Sequence, residues 1–123
     1  MKIAISSTGK EMESQVDTRF GRCPYFIIVD IENKKIKGKK IIKNEAMAQR
    51  GGAGISAAEV VGNEKVSAVI TVNIGPRAVG IIQQLGIKIY QAQGTVKEVI
   101  QNFIGGKLKE IKSPTGPRFV GRN

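Results

Sequence analysis

Three features of the sequence predict an α/β fold with a mixed sheet and helices on its faces. Short apolar runs rich in β-branched residues alternate with segments of helical period in the second half of the chain. A hairpin of two strand-like runs precedes that half. The chain has 123 residues, 41% of them hydrophobic and 24% charged, which is enough for one buried core. The predicted order of elements is β-β-β-α-β-α-β-α.

The first half of the chain predicts three strands. The first is KIAISS (2–7), which runs into a polar loop. YFIIVDI (25–31) is a continuous apolar run, typical of a strand that is buried on both faces. IKGKKIIK (36–43) follows after the turn ENKK, so residues 25–43 predict an antiparallel hairpin.

Helices and strands alternate in the second half. ISAAEVVGNEK predicts a helix whose polar residues share one face. The strands VSAVITV (66–72) and IKIY (87–90) flank PRAVGIIQQLG, a helix with Pro76 in its first turn and Gly86 as its stop. The predicted apolar stripe of that helix is Ala78, Ile81, Ile82 and Leu85.

The last predicted helix, TVKEVIQNFIGG, has the clearest boundaries. Thr95 and Glu98 have the spacing of a capping box, and Gly105 ends the helix. Residues 1–111 therefore predict a single domain. The basic tail 112–123 contains two prolines and two glycines without any period, and we expect it to be mobile.

Charge and residue usage restrict the function. The net charge of +10 implies an anionic partner, and the complete lack of histidine removes the commonest general base and metal ligand. A single cysteine cannot form an internal disulfide, which fits a reducing compartment. There is no signal-peptide pattern and no apolar run of the ~20 residues that a membrane helix needs. We expect a cytoplasmic protein without membrane contact, either a monomer or a weak homodimer.

Hydrolytic catalysis is not expected. A serine or cysteine nucleophile needs a neighbouring base, and without histidine only lysine or a carboxylate remains. A metal-dependent nuclease needs carboxylates clustered at strand ends. The two aspartates, Asp17 and Asp30, are instead predicted to lie in a loop and a turn. The sequence therefore predicts a binding protein rather than an enzyme.

Two glycine-containing segments precede helices. In QRGGAGIS, the residues Gly51, Gly52 and Gly54 allow the backbone to approach a ligand, and the helix N-terminus offers N–H groups to an anion. In VNIGP, Asn73 and Gly75 stand at a second strand-to-helix junction, where ligands of open α/β sheets gather. Both segments are also compatible with plain connections.

The segment KKIKGKK has five lysines in seven residues. One interpretation is a nucleic-acid surface. The other is an edge strand that its lysines keep from pairing. No aromatic residue alternates with the lysines, as a stacking platform for single strands requires. The edge-strand interpretation is therefore favoured, and a nucleic-acid-binding module that uses this strand and the basic tail stays an alternative.

Cys23, in RFGRCPYF, is the only cysteine of the chain. Arg19, Gly21 and Arg22 precede it, and neighbouring cations lower the pKa of a thiol. The alternative is a buried structural cysteine. Because a protein-built iron–sulfur cluster normally needs four cysteines, this chain can hold only a preformed anionic cluster, with Cys23 as the candidate metal ligand.

Five segments of the chain occur in the order and spacing of a known family. They run from residue 1 to about 111 and are KIAISS, VDTRFGRCPYFIIVD, GGAGISAAE, VITVNIGPRAVGIIQQLGIKIY and GTVKEVIQNFIGGKL. RFGRCPYF and NIGP…GIKIY are the most specific pieces. Through them the chain resembles the dinitrogenase iron–molybdenum cofactor biosynthesis family.

The resemblance implies a ribonuclease H-like fold with a five-stranded mixed sheet and helices on both faces. It also implies a non-enzymatic protein that binds, stores or hands over iron–sulfur precursors of the iron–molybdenum cofactor, with a cofactor-synthesis or acceptor protein as partner. Many relatives have a histidine where this chain has QRGGAG. Arg50 and glycines replace it here, which leaves Cys23 as the only strong ligand.

Both lines of argument predict one pocket at one end of the sheet. Loops 6–24 and 46–55 and the turn 73–76 are expected to converge there as a basic, glycine-lined, thiol-containing anion site. Its predicted cofactor-binding residues are Arg19, Gly21, Arg22, Cys23, Gly51, Gly52, Gly54, Asn73 and Gly75. A protein-interaction domain with a vestigial pocket is a further alternative.

Overall fold

The structure is a computed structural model that describes residues 1–115. It consists of a mixed six-stranded sheet and three α-helices that pack against its faces. The strands are β1 (Lys2–Ser7), β2 (Tyr25–Glu32), β3 (Lys35–Lys43), β4 (Ala68–Thr71), β5 (Lys88–Gln91) and β6 (Lys109–Ile111). The helices are α1 (Ala53–Asn63), α2 (Pro76–Gln84) and α3 (Val96–Ile104), and a short 3-10 helix covers Glu45–Ala48.

The strand order in the sheet is β3-β2-β1-β4-β5-β6. The strands β1, β4 and β5 are parallel, and β2, β3 and β6 each run antiparallel to the preceding strand beside them. The mixed sheet, the hairpin and the helices are confirmed, whereas the expectation of five strands is wrong. The sixth strand has only three residues, so no alternation marks it, and its pairing with β5 alone makes it a strand. The ribonuclease H-like assignment stays a prediction.

The alternation of side chains along the strands creates two cores, one on each face of the sheet. On β1, Ala4 faces the layer of α1 and α2, and its neighbours Ile3 and Ile5 face α3. The continuous apolar run in β2 contributes side chains to both cores, because successive residues point to opposite faces. Phe26 packs in one core and Ile27 in the other. The central strands are therefore apolar on both faces.

The apolar stripe of α2 differs from the predicted one. Leu85 is 53% exposed, and Val79 is buried in its place beside Ala78 and Ile82. The helix ends at Gln84, so Leu85 lies beyond the last regular turn. Its side chain instead covers Gly62 of α1, where an added Cβ would come within 2.7 Å of the Leu85 Cδ1 atom.

The predicted helix boundaries are confirmed at several ends. Pro76 is the first residue of α2, and Gly86 follows α2 with a φ of +75°. Thr95 and Glu98 form the complete capping box of α3, and Gly105 is its C-cap. Hydrogen bonds from the Thr95 backbone N–H and hydroxyl lower the pKa of Glu98.

The parallel strands bring their carboxyl ends to one edge of the sheet, and the loop 8–24 lies across that edge. Its central part is held by the segment after β4, because the Asn73 N–H donates to the Thr18 carbonyl at 3.1 Å. The Phe20 N–H in turn donates to the Asn73 carbonyl at 3.1 Å. These two bonds fix the position of Gly21 next to the helices. Within residues 1–115, none of the helices is long and apolar enough to span a bilayer.

Thr115, the last described residue, is hydrogen-bonded to Ile74 at the same edge of the sheet. Its N–H donates to the Ile74 carbonyl at 2.8 Å, and its hydroxyl accepts from the Ile74 N–H at 2.9 Å. Of the tail 112–123, for which mobility is predicted, residues 116–123 lie outside the described residues.

Candidate anion-binding site

A cavity of about 280 Å³ lies where the N-termini of α1 and α2 meet the loop before β2. Three chain segments, separate in sequence, contribute to it. The lining residues are Phe20, Gly21, Gly52, Ala53, Gly54, Ile55, Gly75, Pro76, Arg77 and Ala78. The cavity has roughly nine times the ~30 Å³ share of one water in the liquid, so a small polyatomic ligand fits.

Close backbone contacts form the floor of this cavity. A Cβ on Gly21 would come within 2.8 Å of the Gly54 nitrogen and 2.9 Å of its Cα atom, which leaves room only for glycine. A Cβ added at Gly54 would lie 3.5 Å from the Ala78 Cβ atom, an ordinary contact distance. The first turns of the two helices therefore lie close to one another beside the loop.

The electrostatics of the cavity favour an anion. Neither N-cap residue, Gly52 of α1 or Gly75 of α2, makes a side-chain capping hydrogen bond, so the first-turn N–H groups have no side-chain acceptor from their caps. Each helix N-terminus carries about half a positive charge from the aligned peptide dipoles. Arg77 adds a guanidinium, and no carboxylate occurs among the lining residues.

Arg22 holds the segment that leads to the glycines. Its guanidinium donates to the carbonyl oxygens of Met47, at 2.9 Å, and of Gln49, and lies 3.4 Å from the carbonyl of Arg50. Because these carbonyls come directly before Gly51 and Gly52, Arg22 positions the loop that begins α1. Its charge is engaged with backbone oxygens and does not face the cavity.

Asn44 connects the same loop to the end of β3. Its side-chain amide donates to the carbonyls of Gly21, at 3.1 Å, and Cys23, at 2.8 Å. Its side-chain oxygen accepts from the Ala46 N–H at 3.2 Å and caps the 3-10 helix. Asn44 is completely buried, so these bonds replace the water that its polar atoms would otherwise bind.

Cys23 is a buried thiol, which favours the structural alternative over a thiol of lowered pKa. Its side chain is fully buried beside Phe20 and Phe26, in the core under α1 and α2. Burial, and secondly the Asp17 carboxylate, raise the pKa of Cys23 to about 12. Its sulfur lies 3.3 Å from the Phe20 carbonyl and does not line the cavity. Arg19 and Arg22 are directed to other acceptors, the Asp17 carboxylate and backbone carbonyls.

Arg19 belongs to a second, more open cavity of about 850 Å³, located on the α3 side of the strand ends. Its Nε lies 3.3 Å from Oδ1 of the buried Asp17, whose carboxylate also accepts the Arg19 backbone N–H at 2.8 Å. Amide and hydroxyl groups make up most of the remaining polar lining. The carboxylate cancels the charge of Arg19, so this cavity is less suited to an anion.

The structure brings together four of the nine predicted site residues, Gly21, Gly52, Gly54 and Gly75, around the first cavity. Of the others, Gly51 is exposed outside it, Asn73 holds the loop through its backbone, and Arg19, Arg22 and Cys23 have the separate positions described above. Arg77 was missed, although its place directly after the predicted helix start at Pro76 was a usable signal. Residues 1–115 contain no group of three or more His, Cys, Asp or Glu that could hold a metal ion.

Comparison with known proteins gives the family. Residues 1–106 match the model of the family described as dinitrogenase iron–molybdenum cofactor. The chain belongs to this family. It is 41% identical over 113 residues to the protein MJ0580 of Methanocaldococcus jannaschii, covering 91% of this chain and 92% of that protein.

Solved structures of similar proteins share the fold. The apo form of the orange protein from Desulfovibrio gigas superposes on this chain with a TM-score of 0.87 at 30% identity. The superposition covers 94% of this chain and 96% of the orange protein chain. The Thermotoga protein TM1290 superposes with a TM-score of 0.80 at 33% identity and covers 94% of this chain and 97% of its own. The match to this family therefore extends over nearly the whole chain.

Proposed function

We propose that this protein is a non-enzymatic carrier for an anionic metal–sulfur cluster of the iron–sulfur or iron–molybdenum cofactor precursor type. The cluster is a transient cargo, held without covalent ligands in the cavity at the N-termini of α1 and α2. The observation that carries the proposal is the convergence of two uncapped helix N-termini, three glycine-containing segments and Arg77 on one cavity that no carboxylate lines.

The physical basis is charge neutralisation by backbone N–H groups. Sulfides of a cluster accept hydrogen bonds from N–H donors, and the helix dipoles favour the negative charge of the cluster. Glycines at the contact points let the backbone come close enough for such bonds. Arg77 supplies a full positive charge at the rim.

The described residues offer a cluster no set of three or more metal ligands, which suits a carrier. A cluster that is bound by four cysteines is hard to hand on, whereas one held by hydrogen bonds and charge leaves without breaking metal–protein bonds. The family is named for the iron–molybdenum cofactor, and the similar orange protein is known in an apo form, which supports a removable cargo. A reducing cytoplasm, the compartment inferred from the single cysteine, also protects such a cluster.

The test is anaerobic incubation with a preformed anionic iron–sulfur cluster, followed by desalting and absorption spectroscopy. The wild-type protein is expected to retain a coloured cluster. The decisive pair of variants is Gly75→Asp and Gly75→Asn. An added Cβ at Gly75 meets nothing within 4 Å, its φ is −83°, and both residues are good N-caps, so both variants fold.

The two variants differ in charge and hardly in shape. Gly75→Asn is expected to weaken binding slightly, because its side-chain oxygen can accept from first-turn N–H groups of α2. Gly75→Asp is expected to bind at least about tenfold more weakly than Gly75→Asn, because a carboxylate then occupies the anion site. Equal binding by the two variants contradicts this cavity as the site. A colourless wild type contradicts the carrier function itself.

A Cys23→Ala variant tests the absence of a covalent ligand. It is expected to hold the cluster as the wild type does, since the sulfur of Cys23 is buried away from the cavity. A folded Cys23→Ala variant that stays colourless would show that the thiol ligates the cluster and that binding is not purely non-covalent. Circular dichroism of the same samples verifies the fold.

A further inference from the structure

We propose that the outer edge of β3 is a docking site for an acidic, extended segment of a partner protein, which adds to the sheet as a further strand. This inference is independent of the proposed cargo, because it concerns the protein surface with an empty cavity. The features that carry it are an open strand edge, an uncompensated row of lysines and the register of the hairpin.

The strand β3 is an unusually long and exposed edge. It has nine residues, of which the first six are exposed, and it pairs only with β2 among the described residues. Five of the nine are lysines, namely Lys35, Lys37, Lys39, Lys40 and Lys43. Of these five lysines, only Lys40 has an ion pair with a described residue, its Nζ lying 3.1 Å from the Oε1 atom of Glu64.

The number of lysines exceeds what protection of the edge requires. One inward or central lysine, or a bulge, is a sufficient device against unwanted pairing. The hairpin already has a register shift between Asp30 and Ile31, next to Lys37. The four unpaired lysines therefore leave a concentrated positive field along an edge whose backbone groups can still pair with a strand of opposite charge.

The register assigns these side chains to faces. Lys43, Ile41 and Lys39 share the α3 side of the sheet, because they are paired with Tyr25, Ile27 and Val29. Ile42 and Lys40 share the other side with Phe26 and Ile28. Ile41 and Ile42 are only half-buried, so each leaves apolar surface at the edge.

This arrangement specifies the partner segment. An antiparallel strand beside β3 needs acidic residues opposite Lys43 and Lys39 and apolar residues opposite Ile42 and Ile41. The position opposite Lys40 can be any residue, since Glu64 neutralises that lysine. The predicted pattern, from N- to C-terminus, is acidic–apolar–apolar–any–acidic.

Two other occupants fit this edge less well. A second copy of the chain would place lysines against lysines, which repel one another. A single-stranded nucleic acid is typically bound by cations on one continuous surface with aromatic faces between them. Here the lysines point to both sides of a single strand, and the ring of Tyr25, which pairs with Lys43, already has the Lys10 ammonium 5.5 Å from its centre.

The experiment is fluorescence anisotropy with the labelled peptide Thr-Glu-Val-Ile-Thr-Glu-Thr and the cluster-free protein at low ionic strength. Binding is expected, and it should weaken as salt is added. The matched control peptide has glutamine in place of both glutamates and is expected to bind roughly tenfold more weakly. Equal binding of the two peptides overturns the role of charge.

Protein variants locate the site. Lys39→Glu/Lys43→Glu is expected to weaken binding by about tenfold or more, and the matched double variant Lys97→Glu/Lys107→Glu, at exposed positions on α3 and after it, to bind nearly as the wild type. The opposite ranking overturns the proposal. Backbone pairing is tested by hydrogen exchange, because an added strand slows exchange of β3 amide protons and a purely ionic contact does not.

A single-stranded oligonucleotide is included as a competitor. It is expected to bind more weakly than the acidic peptide at equal salt. If it binds more tightly and the Lys39→Glu/Lys43→Glu variant loses it, the lysine edge is a nucleic-acid site and the acidic-strand proposal is wrong.

Discussion

At the scale of single residues, Cys23 connects the loop before β2 to the core. Its side chain is excluded from water, and the Asp17 carboxylate opposes a negative charge on the sulfur. Both effects keep the thiol protonated at neutral pH, so it is a small apolar packing residue there. The two flanking arginines do not counteract them, because one is paired with Asp17 and the other with backbone carbonyls.

The raised pKa of Cys23 predicts a pH dependence of stability. The thiol of the unfolded chain, with a pKa of 9.0, loses its proton before the folded one, whose pKa is about 12. The buried thiol therefore makes its full contribution to the free energy of unfolding below about pH 9. This contribution is lost as the pH rises from there towards 12. The loss is about 1.4 kcal/mol at roughly pH 10 and on the order of 4 kcal/mol in total.

Urea unfolding of the wild type and of Cys23→Ala at neutral pH and at about pH 10 measures this effect. Lysines and tyrosines titrate in both proteins, so only the difference between them reports on the thiol. The free energy of unfolding of the wild type should fall more steeply with pH. Parallel curves for the two proteins would contradict the burial of an uncharged thiol.

Gly21 gives a second prediction at this scale. The Gly21→Ala variant places a Cβ against the backbone of Gly54, which cannot move as a flexible side chain would. We expect a loss of about 1–3 kcal/mol in the free energy of unfolding. The control is Gly51→Ala, where an added Cβ meets nothing within 4 Å, with an expected change below about 0.5 kcal/mol. Equal stability of the two variants would mean that the loop and α1 are not in contact.

At the scale of elements, the joint between β3 and the 3-10 helix depends on Asn44. Its backbone N–H donates to the Pro24 carbonyl at 2.9 Å, and its side chain reaches the carbonyls of Gly21 and Cys23. The end of the hairpin, the loop before β2 and the start of the glycine segment are therefore held by one buried amide.

The Asn44→Asp variant tests this joint because it keeps the shape but removes the donor. A carboxylate cannot donate to the two carbonyls and is buried without a cation, so we expect a loss of about 2–4 kcal/mol, measured by urea unfolding at neutral pH. The matched change Asn33→Asp, in the exposed hairpin turn, should alter stability by less than about 0.5 kcal/mol. A mild effect at Asn44 would show that the loop is held by other contacts.

At the scale of the whole molecule, two cores share one sheet, and the surface carries a large excess of positive charge. The net charge is +10, and residues 1–115 contain only three ion pairs. Like charges therefore repel one another across a small folded surface, and folding brings them closer than they are in the unfolded chain.

This repulsion predicts that salt stabilises the protein. Raising sodium chloride from about 10 mM to about 300 mM should raise the Tm by roughly 2–5 °C, because the screening length falls well below the size of the domain. Differential scanning calorimetry measures the shift. The triple variant Lys35→Gln/Lys37→Gln/Lys39→Gln should show a smaller rise in Tm with salt. An unchanged or lower Tm of the wild type in salt would contradict net repulsion.

Local signals account for the parts of the fold that were predicted. The capping box at Thr95 and Glu98, the first-turn Pro76 and the hairpin 25–43 each depend on residues a few positions apart. The order of strands and helices follows from them. By contrast β6 and the burial of Val79 instead of Leu85 depend on neighbours far away in the sequence, and no short pattern encodes them.

The candidate site divides in the same way. The glycines at the starts of α1 and α2 were recognisable because the backbone conformation and the helix start are local properties. The roles of Arg19, Arg22 and Cys23 were not, since adjacency in sequence says nothing about which acceptor a long side chain reaches. Arg22 reaches carbonyls that lie 25 and 27 positions away.

The amino-acid sequence by itself determined the α/β class, most element boundaries and the family, because composition, period and motifs are properties of neighbouring residues. Only the tertiary structure decided where the charge is available. Arg19 pairs with a buried carboxylate, and Arg22 donates to backbone carbonyls. The sulfur of Cys23 is buried in the core, and two helix N-termini face the same cavity. Charge and burial are set by three-dimensional neighbours, and these come from distant parts of the chain.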